Sequence, residues 1–136
     1  MSSSLKPPKK HIFFIDRSLG RKAVASVLLE AGYEVIIHDD VFPQNTLDEE
    51  WLKDAGKKRW IVLSKDNRIR YRANEIAALE SAKVLAFILI AANATGEEMA
   101  SIFLKASKRM ITLANKEKRP AIFTLGRDSK PKKICT

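Results

Sequence analysis

The chain has 136 residues, the length of one ordinary domain, and its 46% apolar and 30% charged residues are globular rather than disordered composition. A single cysteine, Cys135, and two histidines, His11 and His38, exclude a disulfide framework, a zinc site needing two thiolates, and a zinc site built on three imidazoles. The formal net charge of +9 falls mostly at the two ends, on Lys6, Lys9 and Lys10 and on Lys130, Lys132 and Lys133, and points to a polyanionic partner. Strand and helix patterns then alternate along the chain. His11–Asp16 (HIFFID) is an apolar run ending in an acid, and Arg17–Gly32 carries a helical stripe of Ala23, Val24, Val27, Leu28 and Ala31 stopped by Gly32. Glu34–His38 (EVIIH) reads as a second strand, and residues 43–45 as a turn. The Thr46–Glu49 pattern reads as a capping box opening a helix to about Gly56, and Trp60–Ser64 (WIVLS) as a third strand. Asn74–Ala82 is a short helix and Lys83–Ile90 (KVLAFILI) a fourth strand. A second capping box, Thr95–Glu98, opens a long helix to about Lys118, and Pro120–Leu125 (PAIFTL) is a fifth strand.

This alternation implies an α/β fold with a mainly parallel sheet of about five strands between helix layers, the strands buried on both faces. Residues 11–128 form the domain, with a basic tail at 1–10 and another at 129–136, both expected to lie outside the fold. The longest apolar run, Val84–Ala92, is about half of what crosses a bilayer. The opening MSSSLKPPKK has no apolar segment behind it and does not read as a secretory signal. The expectation is a cytoplasmic protein with no membrane partner.

Ligands of parallel sheets bind beyond the carboxyl ends of the strands. There the sequence places Asp16 after strand one, Asp39 and Asp40 after strand two, Asp66 after strand three and Asn93 after strand four. Asp48 joins them from the first turn of the helix that feeds strand three. Carboxylates gathered without a cation repel and take up protons, so an oxygen-only cluster suits Mg²⁺ or Mn²⁺. Such an ion would polarise a phosphodiester and activate water. Residues 57–72 (KKRWIVLSKDNRIRYR) hold seven basic residues and one acid, so Lys65, Arg68, Arg70 and Arg72 stand ready to hold nucleic-acid phosphates beside Asp66. The plainer readings are that Asp16 caps a turn, that Asp48 complements a helix dipole, and that the arginines form a solvated face. His38, Trp51 and Trp60 read as core.

In their order and spacing, FFIDRSLG, TLDEEWLKDA and WIVLSKDNRIR, followed by ATGEEMASIFLKA and PAIFTLGRD, resemble the PIN-like nucleases. The likeness is strongest to the VapC-type toxins of type II toxin–antitoxin systems, and it covers about residues 11–128. It implies a three-layer α/β/α sandwich carrying a Mg²⁺- or Mn²⁺-dependent ribonuclease, inhibited by a cognate antitoxin protein and plausible as a homodimer. Asp16, Asp48 and Asp66 match the first three family acids. The fourth is missing, since its positions read Asn67, Arg68 and Asn93; Glu49, beside Asp48, is a candidate substitute ligand, although its place in the capping-box pattern explains it as well. The departure keeps open a catalytically silent domain that binds RNA or an antitoxin. A receiver-type signalling domain would use an Asp after strand three, as Asp66 is. It would also need an acidic pair after strand one and a Lys after strand five, where this chain has Asp16-Arg17 and Gly126-Arg127.

Overall fold

The computed structural model of the protein describes residues 11–65 and 73–135. Six strands form one sheet: β1 (Ile12–Ile15), β2 (Glu34–Ile37), β3 (Ile61–Ser64), β4 (Leu85–Leu89), β5 (Ala121–Leu125) and β6 (Lys132–Cys135). Their order is β2-β1-β3-β4-β5-β6; the first five are parallel and β6 runs antiparallel to β5. The helices are α1 (Ala23–Glu30), α2 (His38–Val41), α3 (Asp48–Lys57), α4 (Ala73–Ser81) and α5 (Gly96–Lys116).

Register sorts the apolar strand residues into two cores, because side chains alternate faces along a strand. Phe14 pairs with Val62, Val62 with Ala86 and Ala86 with Ile122, and this row is buried against Trp51 and Leu52 of α3 and Leu79 of α4. The offset row Phe13, Ile61, Leu85 and Ala121 belongs to the opposite core, under Val24 and Leu28 of α1 and Phe103 and Met110 of α5. The result is the three-layer α/β/α sandwich that the alternation implied. Phe14 anchors the α3 side, fully buried, with its ring stacked on Trp60 and Trp51, each at 5.1 Å between centroids. His38 is buried in the same cluster, edge-on to Phe14 and Trp51, a core position as read from the sequence.

Four local expectations change. The sheet has six strands rather than about five, because residues 132–135 of the expected C-terminal tail pair with β5. Their lysines hide the pattern: an edge strand needs no continuous apolar run, and lysine there deters pairing with other chains. The first helix is broken. Residues 17–19 form a 3-10 turn ended by Gly20 at φ +77°, and α1 starts only at Ala23. Asp39 and Asp40, which as acids following a strand read most simply as turn residues, lie instead in the single-turn helix α2. Finally, the Thr46–Glu49 capping box does not form; Leu47 is the N-cap of α3 and provides no side-chain cap. Its counterpart does form on α5, where Thr95 Oγ1 accepts from the Glu98 N–H and Glu98 Oε1 accepts from the Thr95 N–H. Among the described residues no helix is long and apolar enough to cross a membrane.

Candidate active site

Parallel pairing puts the carboxyl ends of β1 to β5 on one edge. Asp16 leaves β1 there, its backbone N–H still bonded to Leu63 O of β3 at 3.0 Å. Three donors fix its carboxylate. The Arg17 N–H gives to Oδ1 at 2.8 Å, while Ser18 Oγ and Ser64 Oγ each give to Oδ2 at 2.9 Å. The first of these bonds is the turn cap anticipated for Asp16; the cap and a ligand role are compatible, because each carboxylate oxygen has more than one acceptor site. Ser18 Oγ also accepts from the Lys65 N–H at 2.9 Å, which ties the exit of β3 to the exit of β1.

Asp48 opens α3 on the exposed surface, and its Oδ1 accepts from Trp51 Nε1 at 3.0 Å. A cavity of about 410 Å³ joins it to β3: Asp48, Glu49 and Ser64 line it together, over an apolar floor of Val62 and Ile88 and walls from Trp51, Leu52 and Leu79. Ser64, 3% exposed, therefore bonds Asp16 and also lines the cavity that Asp48 lines. The approach to α3 is held by Arg17. Its Nη1 donates to Gln44 O at 2.7 Å and its Nε lies 3.3 Å from Asp39 Oδ1.

The remaining acids have other partners. Asp39 also receives His38 Nδ1 at 2.9 Å, and Asp40 pairs with Arg21 at 2.6 Å. Asn93 is exposed in a left-handed turn (φ +59°) after β4, two strands from β1, beside the Ala92 carbonyl that Arg127 binds. Asp66, Arg68, Arg70 and Arg72 lie outside the described residues. Among the described residues no group of three His, Cys, Asp or Glu side chains is close enough to hold a metal ion. The donors around the cavity are carboxylates and hydroxyls without a single sulfur or imidazole, a hard-oxygen set that fits Mg²⁺ or Mn²⁺ in kind. Sequence reasoning missed Ser18, Ser64 and Arg17. The available signal was a polar residue closing an otherwise apolar strand, WIVLS.

A family model described as a PIN like domain matches residues 12–91, from β1 through β4. The chain belongs to the PIN-like domain family. It is also 29% identical over 119 residues, 85% of each chain, to a Mycobacterium tuberculosis (strain ATCC 25618 / H37Rv) protein named "Putative ribonuclease VapC45". No solved structure matches the chain. The span matched by the family model contains Asp16, Asp48 and Asp66.

Proposed function

We propose that the protein is a metal-dependent endoribonuclease, the toxin of a toxin–antitoxin pair. The observation that carries the reading is the Ser64 link between the Asp16 carboxylate and the cavity lined by Asp48, at the carboxyl edge of a PIN-like sheet. The ribonuclease name of the mycobacterial relative supports it. In this reading Asp16, Asp48 and Asp66, with Glu49 or Asn93 where a fourth donor is needed, hold Mg²⁺ or Mn²⁺. The ion would polarise the scissile phosphate and activate water.

The chain's own groups have separate tasks. Ser18 and Ser64 orient Asp16, Arg17 holds the loop that leads to Asp48, and Lys65, Arg68, Arg70 and Arg72 bind flanking phosphates. The reaction is hydrolysis: the oxygen of water bonds to phosphorus, the bond to the departing ribose oxygen breaks, and that oxygen takes a proton. The same reading has the protein act in the cytoplasm as a homodimer, silenced by its antitoxin.

Cleavage of a mixed RNA pool tests it. Activity should appear with Mn²⁺ or Mg²⁺, vanish in EDTA, and fall steeply in Asp16→Asn while RNA binding persists. A second reading, a silent RNA- or antitoxin-binding domain, is favoured by Asn93 in the turn after β4, an amide at a position where the family resemblance implies a fourth acid. It requires RNA binding with no cleavage under any divalent ion.

A further inference from the structure

Helix α5 begins at the same sheet edge as the candidate site and runs towards the opposite one. Its exposed side carries Lys105, Arg109 and Lys116 at i, i+4 and i+11, one line along the helix, with Lys108 beside it. No acid occurs between Ser101 and Lys116. No ion pair ties down any of these four side chains among the described residues. Lys105 and Arg109, four residues apart, repel each other and weaken the helix locally. Complementing the helix dipole accounts for Lys116 alone, because that effect fades within the last turn and the other three cations stand about two to three turns earlier.

Both ends of this line meet the β5–β6 side of the molecule. At the site edge, Lys105, Ser101, Glu98, Arg127 and Ser129 line a cleft of about 150 Å³. Ser129 Oγ is buried there without a hydrogen-bond partner among the described residues. Arg127 is braced by Glu98 Oε2 at 3.0 Å and Ala92 O at 2.9 Å, and its guanidinium retains further N–H donors. Glu98 is itself engaged by Arg127 and by the Thr95 N–H. At the far end, Lys133 of β6 donates to Glu117 at 2.7 Å, and Arg109 and Lys116 both act on that carboxylate. Lys133 stands opposite Phe123 and so faces the α5 layer. The surface is a continuous basic ridge, with Lys105 and Lys116 about 16 Å apart along the helix axis.

We propose that this ridge is an RNA-backbone track, running from the Lys105–Arg127–Ser129 cleft down α5 to Lys116 and Lys133, that carries the strand leading away from the site. The proposal rests on the ribonuclease reading and adds to it a second, sequence-independent binding surface. Phosphates suit it because point charges and forked N–H donors dominate it; the apolar side chains beside them are Ile102 in the cleft wall, itself buried, and Leu104, 40% exposed one turn before Lys108. A strand held there would be positioned without its bases being read.

The test uses the full chain carrying Lys105→Gln, Arg109→Gln and Lys116→Gln together, with Lys105→Gln alone as the variant that remains should the triple fail to fold. Binding of single-stranded RNAs of about 6 and about 24 nucleotides is measured across a KCl series in EDTA. For the longer RNA, the slope of log affinity against log salt should flatten by roughly 0.7 per lost contact, about 2 in the triple variant. The shorter RNA, which reaches the cleft at the site edge but not Lys116, should lose at most the Lys105 contact, a slope change of roughly 0.7 in the triple and the single variant alike. An unchanged slope for the longer RNA, in a variant as stable as wild type, overturns the track and would fit a ridge meant for an acidic protein instead. Wild type binding neither RNA would overturn the ribonuclease reading together with the track.

Discussion

Asp16 and Ser64 are 48 residues apart in sequence, yet a hydroxyl of one strand end fixes a carboxylate of the next at 2.9 Å. A donor that holds a ligand in place acts on affinity through orientation, and losing such a partner typically costs about 10–100-fold in metal affinity or activity. Ser64→Ala should therefore lower cleavage and Mn²⁺ affinity together by roughly that factor. Ser64→Thr, which keeps the hydroxyl, should recover part of both. Steady-state kinetics with Mn²⁺ titration would check this, and full activity in the alanine variant would remove Ser64 from the site. Glu98 gives a pH-dependent case. Its carboxyl is held below the ordinary range first by the backbone N–H of Thr95, then by Arg127. A carboxyl with a depressed folded-state pKa contributes stability above its unfolded value of 4.5, and that contribution is lost as pH falls through the folded value. Glu98→Gln should lower the melting temperature at pH 7 and flatten its acid decline. The two proteins should converge once the pH has fallen below the folded-state value, where the folded and unfolded carboxyls are both uncharged.

Helices α3 and α5 show how far local signals reach. The Thr95 capping box forms because every partner lies within one turn. The Thr46 pattern does not, because the loop before α3 is set by a tertiary contact from Arg17 to Gln44, and Asp48 takes the Trp51 indole N–H. Gly56 near the end of α3 belongs to the same class. A Cβ there would stand 1.9 Å from the Ala82 carbonyl oxygen, so α3 passes directly against the turn after α4. Gly56→Ala should destabilise by about 1–3 kcal/mol, since a backbone atom cannot rotate aside as a side chain can. Chemical denaturation would measure it. A neutral outcome would mean that this turn shifts freely.

At the scale of the whole molecule, the two ends should behave differently when cut. Deleting residues 1–9, which have no apolar pattern, should leave the melting temperature nearly unchanged and weaken RNA binding at low salt. Deleting residues 131–136 removes β6, frees the edge of β5 and breaks the Lys133–Glu117 bond. It should lower the melting temperature by several degrees, about 3–5 °C per kcal/mol lost for a domain of this intermediate length, and promote association through the bared edge. Equal stability of both truncated chains would show that β6 contributes nothing to the fold.

The sequence by itself determined the alternation of strands and helices, the two-faced burial of β1, β3, β4 and β5, and the PIN-like family. All of these follow from apolar runs, helical spacing and short motifs that are complete within a few residues. It also placed Asp16 and Asp48 at the right ends of their elements. Tertiary structure alone decided that Ser18 and Ser64 hold Asp16 and that Arg17 sets the approach to α3. It alone decided that a lysine-rich tail becomes the sixth strand and that the α5 cations line up with β6. The physical reason is range: each of these depends on strands and helices distant in the chain becoming neighbours, and a hydroxyl or lysine bears no mark of the partner it will meet.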